Sequence, residues 1–474
     1  MKQIISIALV FAVVCTVQAQ KIKKHILSDL EGKQKTYEEA SLKIWHLAEV
    51  GYQEEKSSKV LQELLQKEGF QIEAGVAEIP TAFVATYGSG SPVIGIMGEY
   101  DALPGISQKA LSYKEPLVEG GAGHACGHHL FGVASAAAAI AAKNWLAANG
   151  GTGTIKFYGT PAEEGGSGKV YMARAGLFDD CNAVLHWHPG DGNGASPSTT
   201  LSNKTGKFRF YGVSAHASGA PERGRSALDA VEAMNFMVNM MREHTTEDTR
   251  IHYVITSGGK APNVVPDFAE VYYYVRHPDP QEVKSLWQRL ENAANGAAQG
   301  TDTKVEIEVT GGVYNVLPNE TLQRIVHENL SEIGGFSYTS EETRFAEEIS
   351  KTLGKSAKAL NTTNDVSPYQ YYIVKASTDV GDVSWTVPTA GMRAATWVPG
   401  TAAHSWQAVA AGGTSIGQKG MMVAAKTLAL TIARLIDRPA ILKQVREEFD
   451  KSRGDDFVYE ALVGNRGPAL DYRK

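Results

Sequence analysis

Apolar positions recur at helical spacing from Ser28 to Gln66, after which the chain changes to short apolar runs, Ile72 to Val84 and Pro92 to Met97, that read as strands. The second run leads into Gly98-Glu99-Tyr100-Asp101-Ala102-Leu103-Pro104, a loop. An Ala-rich stretch from Leu130 to Ala148, stopped by Asn149-Gly150-Gly151, predicts a helix, and Thr154 to Tyr158 predicts the next buried strand. Strand, loop, helix, strand is the pattern of an α/β domain. In open α/β sheets, reacting groups collect beyond the carboxyl ends of the strands, where the loops with His124 to His129 and Glu163-Glu164 would fall.

Between about residue 203 and residue 312 the order becomes strand (Lys207 to Tyr211), helix (Ser226 to His244), strand (Ile251 to Ser257), strand (Ala269 to Arg276), helix (Pro280 to Ala298), strand (Lys304 to Thr310). This βαββαβ order predicts a four-stranded sheet with two helices on one face. Met234, Met237, Met240 and Met241 fall at helical spacing against that sheet and read as core filler. After Leu317 the α/β style returns and closes with a helix from Gly417 to Ile436. The βαββαβ unit is therefore expected as an insertion, residues 203–312, in a main domain made of residues 20–202 and 313–474.

With 474 residues, 43% hydrophobic and 21% charged, the composition is that of a globular protein and excludes disordered, collagenous and multi-span membrane classes. A formal net charge of -6 offers no positive field for nucleic acid. Met1-Lys2, an apolar run from Ile4 to Val14 and short side chains at Val17-Gln18-Ala19 read as an export signal, residues 1–19, cut after Ala19. Acylation at Cys15 is the weaker alternative, because Val14 stands where a small residue is wanted. Lys143 interrupts the longest later apolar stretch, so no membrane span is expected.

Removing the signal leaves Cys126 and Cys181, which in an oxidising compartment could form one disulfide. His124, His128 and His129 crowd Cys126, however, and such density suits a metal site. Five of the 13 histidines lie between His124 and His188, together with both cysteines and Glu163-Glu164. Thiolate, imidazole and carboxylate suit Zn²⁺, and a carboxylate-rich share admits Mn²⁺. A zincin helix is disfavoured because glycines surround His124 and His128 and no Glu follows His124. Of Glu163 and Glu164, neighbours just after a strand, one can bind metal while the other faces a bound water whose proton it takes and passes to a leaving amine. The alternative is a solvated acidic turn. Leu185-His186-Trp187-His188-Pro189 offers two alternating histidines, of which one need be a ligand, and His404 is weak by itself. Gly165-Gly166-Ser167-Gly168-Lys169 satisfies neither a serine-hydrolase elbow nor a phosphate loop.

Six stretches in order resemble the co-catalytic metal amidohydrolases, the family of hippurate hydrolase, N-acyl amino acid deacylases and auxin-conjugate hydrolases. They are Tyr100-Asp101-Ala102-Leu103-Pro104, His124-Ala125-Cys126-Gly127-His128, Pro161 to Gly166, Ser214-Ala215-His216-Ala217, Asn263-Val264-Val265-Pro266 and the late His404. Trp187 to Asp191 and Thr378 to Trp385 look most like one branch of that family, among the p-aminobenzoyl-glutamate hydrolase subunits. The resemblance implies a zinc-peptidase-like α/β catalytic domain with an inserted α+β, ferredoxin-like lid and dimerisation domain. It further implies that Cys126, His128, Glu164, His188 and His404 hold one or two divalent ions, Zn or Mn, with Glu163 as general acid/base. His188 is preferred to His186 on the Trp-His-Pro pattern of that branch. In the lid, His216 and Asn263 would stabilise the oxyanion, acting across a homodimer. Arg276 would hold a substrate carboxylate, its alternative being a surface ion pair. His129 stands where many relatives carry an acid, which leaves open what orients His128. The export signal is the other departure from the folate-fragment enzymes.

The expected function is metal-dependent hydrolysis of the amide bond of a small N-acyl or N-aroyl amino acid or a dipeptide. The alternatives are an exported metal-containing binding protein without turnover, and a zinc aminopeptidase.

Overall fold

The computed structural model describes residues 18–474; most of the expected export signal, residues 1–17, lies outside the described residues. The long helical pattern at the start resolves into three helices: α1, described over residues 18–32, α2 (Gln34–Leu47) and α3 (Glu55–Lys67). The expected strand from Ile72 to Val84 is instead a hairpin of β1 (Gln71–Ala74) and β2 (Phe83–Ser89). Gly75, Ala77 and Glu78 all take positive φ there, and Pro80 follows, so no strand can run through.

β3 (Val93–Gly98), β4 (Gly153–Gly159), β5 (Ala183–Gly190) and β12 (Thr389–Ala395) complete a six-stranded sheet of order β1-β2-β4-β3-β5-β12. Its β4-β3-β5-β12 part is parallel, and the β1-β2-β4 part is antiparallel. Helices α4 (His128–Asn149) and α12 (Ser415–Asp437) pack on one face and on each other. In α4 the run Ala136 to Ala139 is fully buried, and small side chains let the helix approach the sheet closely. Gly132 of α4 has a carbonyl oxygen of Glu99 2.7 Å from where a Cβ would lie. Among the described residues, α4 is the one helix long and apolar enough to cross a membrane, and it lies inside the core.

β7 (Ser202–Tyr211), α6 (Ala227–Met241), β8 (Arg250–Ser257), β9 (Phe268–His277), α7 (Pro280–Gly300) and β10 (Lys304–Val313) form the inserted unit. Its antiparallel order is β10-β7-β9-β8, with both helices over the residues Ala269, Val271, Tyr273 and Val275. This is the βαββαβ order read from the sequence, in its ferredoxin-like form. Met234 and Met241 are buried in this core and Met237 packs against it, whereas Met240 points to solvent at 53% exposure and is not filler.

After α13 (Ala440–Arg453) the chain runs back across the molecule as a strap. Leu462 and Val463 are buried, and the Tyr459 hydroxyl donates to Asp382 Oδ1 at 2.8 Å. Asp382, on the short helix α10 (Val380–Ser384), also accepts from the Tyr314 N–H at 3.0 Å. Burial raises the Asp382 carboxyl to about 7 in spite of these two donors. The folded protein therefore keeps a proton that the unfolded chain releases near pH 4. That contribution to stability is complete below about pH 4 and is lost as pH rises through about 7. In denaturant unfolding, Asp382→Asn should lose less stability between pH 5 and pH 8 than the parent, by on the order of 2 kcal/mol. An unaltered pH slope would mean that Asp382 is charged in the fold.

Candidate metal centre and active-site cavity

All four parallel strands deliver residues to one place from their carboxyl ends, as the α/β rule requires. β3 leads to Glu99 and Asp101, β4 to Glu163 and Glu164, β5 carries His186 and His188, and β12 carries Arg393 and leads towards His404. The loop before α4 brings Cys126 and His128. Gly127 between them takes a φ of 74°, and a Cβ there would lie 2.8 Å from Pro189. Only glycine fits this link.

The buried Asp101 carboxylate ties two of these segments together. Its Oδ1 accepts from His128 Nδ1 at 2.8 Å, and its Oδ2 accepts from the Glu164 N–H at 2.9 Å. The His128 bond keeps a proton on Nδ1 and turns Nε2 towards the site. Asp101 thus supplies the orienting acid that His129 cannot. His129 is buried elsewhere, with Nε2 on the Gly412 carbonyl at 3.0 Å, and His124 similarly meets the Ile44 carbonyl. Burial lowers both histidines, His124 to about 4, which makes them neutral packing groups.

Ligand-type atoms converge in two clusters that share the thiol: Cys126, His128 and His188, and Cys126, Glu164 and His404, each within 4.8 Å. His188 donates its Nδ1–H to the Pro189 carbonyl at 2.7 Å, which frees Nε2. His186 lines the same cavity but joins no such cluster among the described residues; its ring lies over Gly391, where a Cβ would be 2.4 Å from Nε2. His404 Nε2 is 3.1 Å from Cys126 Sγ and 3.2 Å from Glu164 Oε1. A third group is Glu99, His128 and Glu163. His128 Nε2 and Glu99 Oε2 lie 3.0 Å apart, yet both are buried without a hydrogen-bond partner, and so is Glu164 Oε1. Buried polar atoms left unpaired while aimed at one another suit a shared cation. The donor set of sulfur, imidazole and carboxylate fits a divalent ion. Cys126 and Cys181 are both free thiols, so the disulfide alternative is excluded; Cys181 instead meets the Tyr158 hydroxyl at 3.1 Å.

The two adjacent glutamates differ in electrostatics. Burial, then the charges of Glu99 and Glu164, hold the Glu163 carboxyl well above the ordinary range. Burial also raises Glu164, but the close contact with His404 Nε2 at 3.2 Å and the His128 charge outweigh it and leave it below that range. Their separation comes from a tight turn, not from the extended strand expected: Ala162 takes a φ of 57°, and the Gly166 N–H bonds back to the Ala162 carbonyl at 3.0 Å.

Beneath them lies a buried lysine that no sequence motif announces. Lys169 Nζ contacts Glu99 Oε1 and Asp379 Oδ1, both at 2.7 Å, with all three groups inaccessible to solvent. Its segment matches neither of the two Gly-rich motifs it approaches; a lysine entering an apolar helix run, Val170 to Ala173, is the signal the sequence does hold. Arg393 is a second functional candidate without a motif. It stands beside His188 across the β5–β12 pair, lines the cavity and has no ion-pair partner among the described residues. The cavity measures about 300 Å³, and its far wall includes Ser198, Thr200, Tyr372 and Val374.

His216, Asn263 and Arg276 do not line this cavity. His216 and Asn263 are neighbours on exposed lid loops, joined by the Ala217 N–H to Asn263 carbonyl bond at 3.0 Å. Arg276 lies on the helix-free face of the lid sheet, 5.2 Å from the Tyr274 ring, and forms no salt bridge among the described residues. Lys169→Met would leave Glu99 and Asp379 buried without their cation, and denaturant unfolding should show a loss of about 3–5 kcal/mol. A loss below about 1 kcal/mol would mean that both carboxyls are protonated in the fold.

Residues 200–302 match the family model described as a peptidase dimerisation domain. Over 456 residues the chain is 41% identical to a subunit of the p-aminobenzoyl-glutamate hydrolase of Escherichia coli (strain K12), covering 90% of this chain and 95% of that protein. It is 31% identical to the Xaa-Arg dipeptidase of Homo sapiens over 437 residues, 88% of this chain and 89% of that one. Among solved structures, a dinuclear metal-binding peptidase of the M20 family from Bacillus subtilis aligns with a TM-score of 0.58 at 17% identity, covering 86% of this chain and 99% of that one. The aminobenzoyl-glutamate utilization protein of Klebsiella pneumoniae aligns with a TM-score of 0.59 at 18% identity, covering 87% and 98%. These two share its fold. The chain belongs to the M20 family of peptidases and amidohydrolases, and it is a hydrolase.

Proposed function

We propose that this hydrolase cleaves the amide bond between an acyl or aroyl group and an amino acid that keeps its free carboxylate, as in an aroyl-glutamate or a dipeptide. The observation that carries this reading is the spare carboxylate: Glu164 turns towards Cys126 and His404 while Glu163 remains beside Glu99 and His128. A protein built only to bind has no use for a second, proton-holding acid there. The names of the relatives, an aminobenzoyl-glutamate hydrolase and a dipeptidase, point to the same bond type.

Cys126, His128, Glu164, His188 and His404 would hold one or two divalent ions, Zn or Mn, which when bound acidify a water and polarise the scissile carbonyl. Glu163 takes the proton of the attacking water. Its raised affinity for protons lets it keep that proton until the amine leaves, and then deliver it to the nitrogen. Arg393 supplies positive charge at the cavity wall for the substrate carboxylate, with Arg276 as the lid's contribution. The oxyanion donors, His216 and Asn263, come from the lid of a second copy. That copy would dock along the β8 edge and α6, where Val254, Phe236 and Met240 are more than half exposed. The N-terminal sequence, read as an export signal, supports a location outside the cytoplasm.

Glu163→Gln should retain metal by elemental analysis and lose turnover of N-aroyl-glutamate at least about a thousandfold. Full turnover would remove Glu163 from this role. Cys126→Ala or His128→Ala should lower metal content directly. The trans arrangement is tested by mixing two inactive chains, His216→Ala and Glu163→Gln. Dimers of one of each contain one intact composite site, so activity should return to about a quarter of the parent. No recovery after verified subunit exchange would place His216 in its own chain's site.

A further inference from the structure

We propose that the strap after α13 is part of the catalytic apparatus: Tyr472 and Arg473 are positioning residues that hold the Glu163–Glu164 turn in its working geometry. The turn's own hydrogen bond, from the Gly166 N–H to the Ala162 carbonyl, is not its sole support. Ala162 sits at a φ of 57°, which alanine rarely adopts, so its shape depends on what grips it. Two grips come from the body of the domain, the Ala162 N–H on Glu54 Oε1 at 2.8 Å and the Glu164 N–H on Asp101 Oδ2 at 2.9 Å. A third is the Tyr52 hydroxyl on the Gly166 carbonyl at 2.6 Å.

The carbonyl of Glu164 is held by the strap. The Tyr472 hydroxyl and Arg473 Nη2 both donate to it at 2.9 Å, and they are its donors among the described residues. One of the two donors is a guanidinium, so this is a charge-assisted grip on the peptide group of a residue in the metal cluster. The seat for Tyr472 is shaped for it. Its ring meets Tyr52 edge-on at 5.6 Å, and Gly51 leaves the space, since a Cβ there would lie 2.0 Å from the Tyr472 hydroxyl. Gln53 Nε2 donates to the Leu470 carbonyl at 3.0 Å just upstream.

Further back the strap is anchored away from the site. Arg174 donates to the carbonyls of Gly464 and Arg466, both at 2.7 Å. Arg466 in turn donates to the carbonyl of Val309 in the lid strand β10 at 2.7 Å. The grip on Glu164 is therefore made by a segment whose base is fixed, and losing its end frees the turn without unravelling the core. Since Glu163 is the neighbour of Glu164, a turn that relaxes misplaces the acid that must meet the attacking water.

The test compares the parent with Tyr472→Phe, Arg473→Ala, the double variant, Arg473→Lys and a chain ending at Pro468. Metal content, steady-state kinetics on N-aroyl-glutamate and hydrogen exchange of the 160–168 segment are measured for each. The double variant and the shortened chain should keep their fold by circular dichroism and lose kcat by tenfold or more, with KM within threefold. Arg473→Lys should recover most of the loss. Amides of residues 162–166 should exchange faster in the variants in proportion to that loss. Only the kinetic arm rests on the amide-hydrolase reading; the exchange arm decides the role of the strap even if no such substrate is turned over. Unchanged exchange of the turn in the shortened chain, or kcat within twofold of the parent, would overturn the proposal.

Discussion

The site exists only because its negative charge is compensated. Glu54, Glu99, Asp101, Glu163, Glu164 and Asp379 gather around the ends of the parallel strands, most of them out of reach of water. Carboxylates taken from water without cations would protonate or expel one another. Lys169 neutralises the floor by bridging Glu99 and Asp379, and His128 lies between Glu99 and Asp101. On the upper side Cys126, Glu164 and His404 meet, a donor set that fits a divalent ion. Burial, together with the same excess of negative charge, keeps Glu163 protonated more readily than an ordinary glutamate, so the environment that suits a cation also prepares the acid.

The sequence carried the architecture well because the relevant signals are periodic and local. The inserted unit could be read strand by strand, and its alternation of buried and open positions, as in Ala269, Val271 and Tyr273 against Tyr272 and Tyr274, is the two-residue period of a half-covered sheet. The residues of the candidate metal clusters were legible through chemical type and through motifs. What stayed hidden depends on contacts distant in the chain. Lys169 meets Asp379 across 210 positions, and no local pattern announces a salt bridge of that span. Arg393 gains meaning from the strand register that sets it beside His188. The hairpin at β1 and β2 was hidden for the opposite reason: a turn of three positive-φ residues, only one of them glycine, gives little compositional warning.

The division into a rigid body and an insertion separates two tasks. The body fixes the candidate metal ligands on strand ends and at the start of α4, braced by the alanine-packed core. The lid carries His216 and Asn263 on exposed loops, so whatever they contribute depends on where a second lid or a closing motion puts them. Geometry within the body can thus be nearly complete while the lid residues are not yet part of it.

The two margins of the lid sheet have unequal character. β8 presents Tyr253, Val254 and Ile255 outward, whereas β10 at the opposite margin alternates Lys304, Glu306 and Glu308 and is interrupted by an irregularity near Gly311. A margin that pairs with its own copy about a two-fold axis uses up both apolar ribbons in one event. The outer limits of the joined sheet would then be charged and misaligned, a poor template for a third strand set. Association through this unit would be self-limiting, with filament growth blocked by the same ten residues that close the βαββαβ fold.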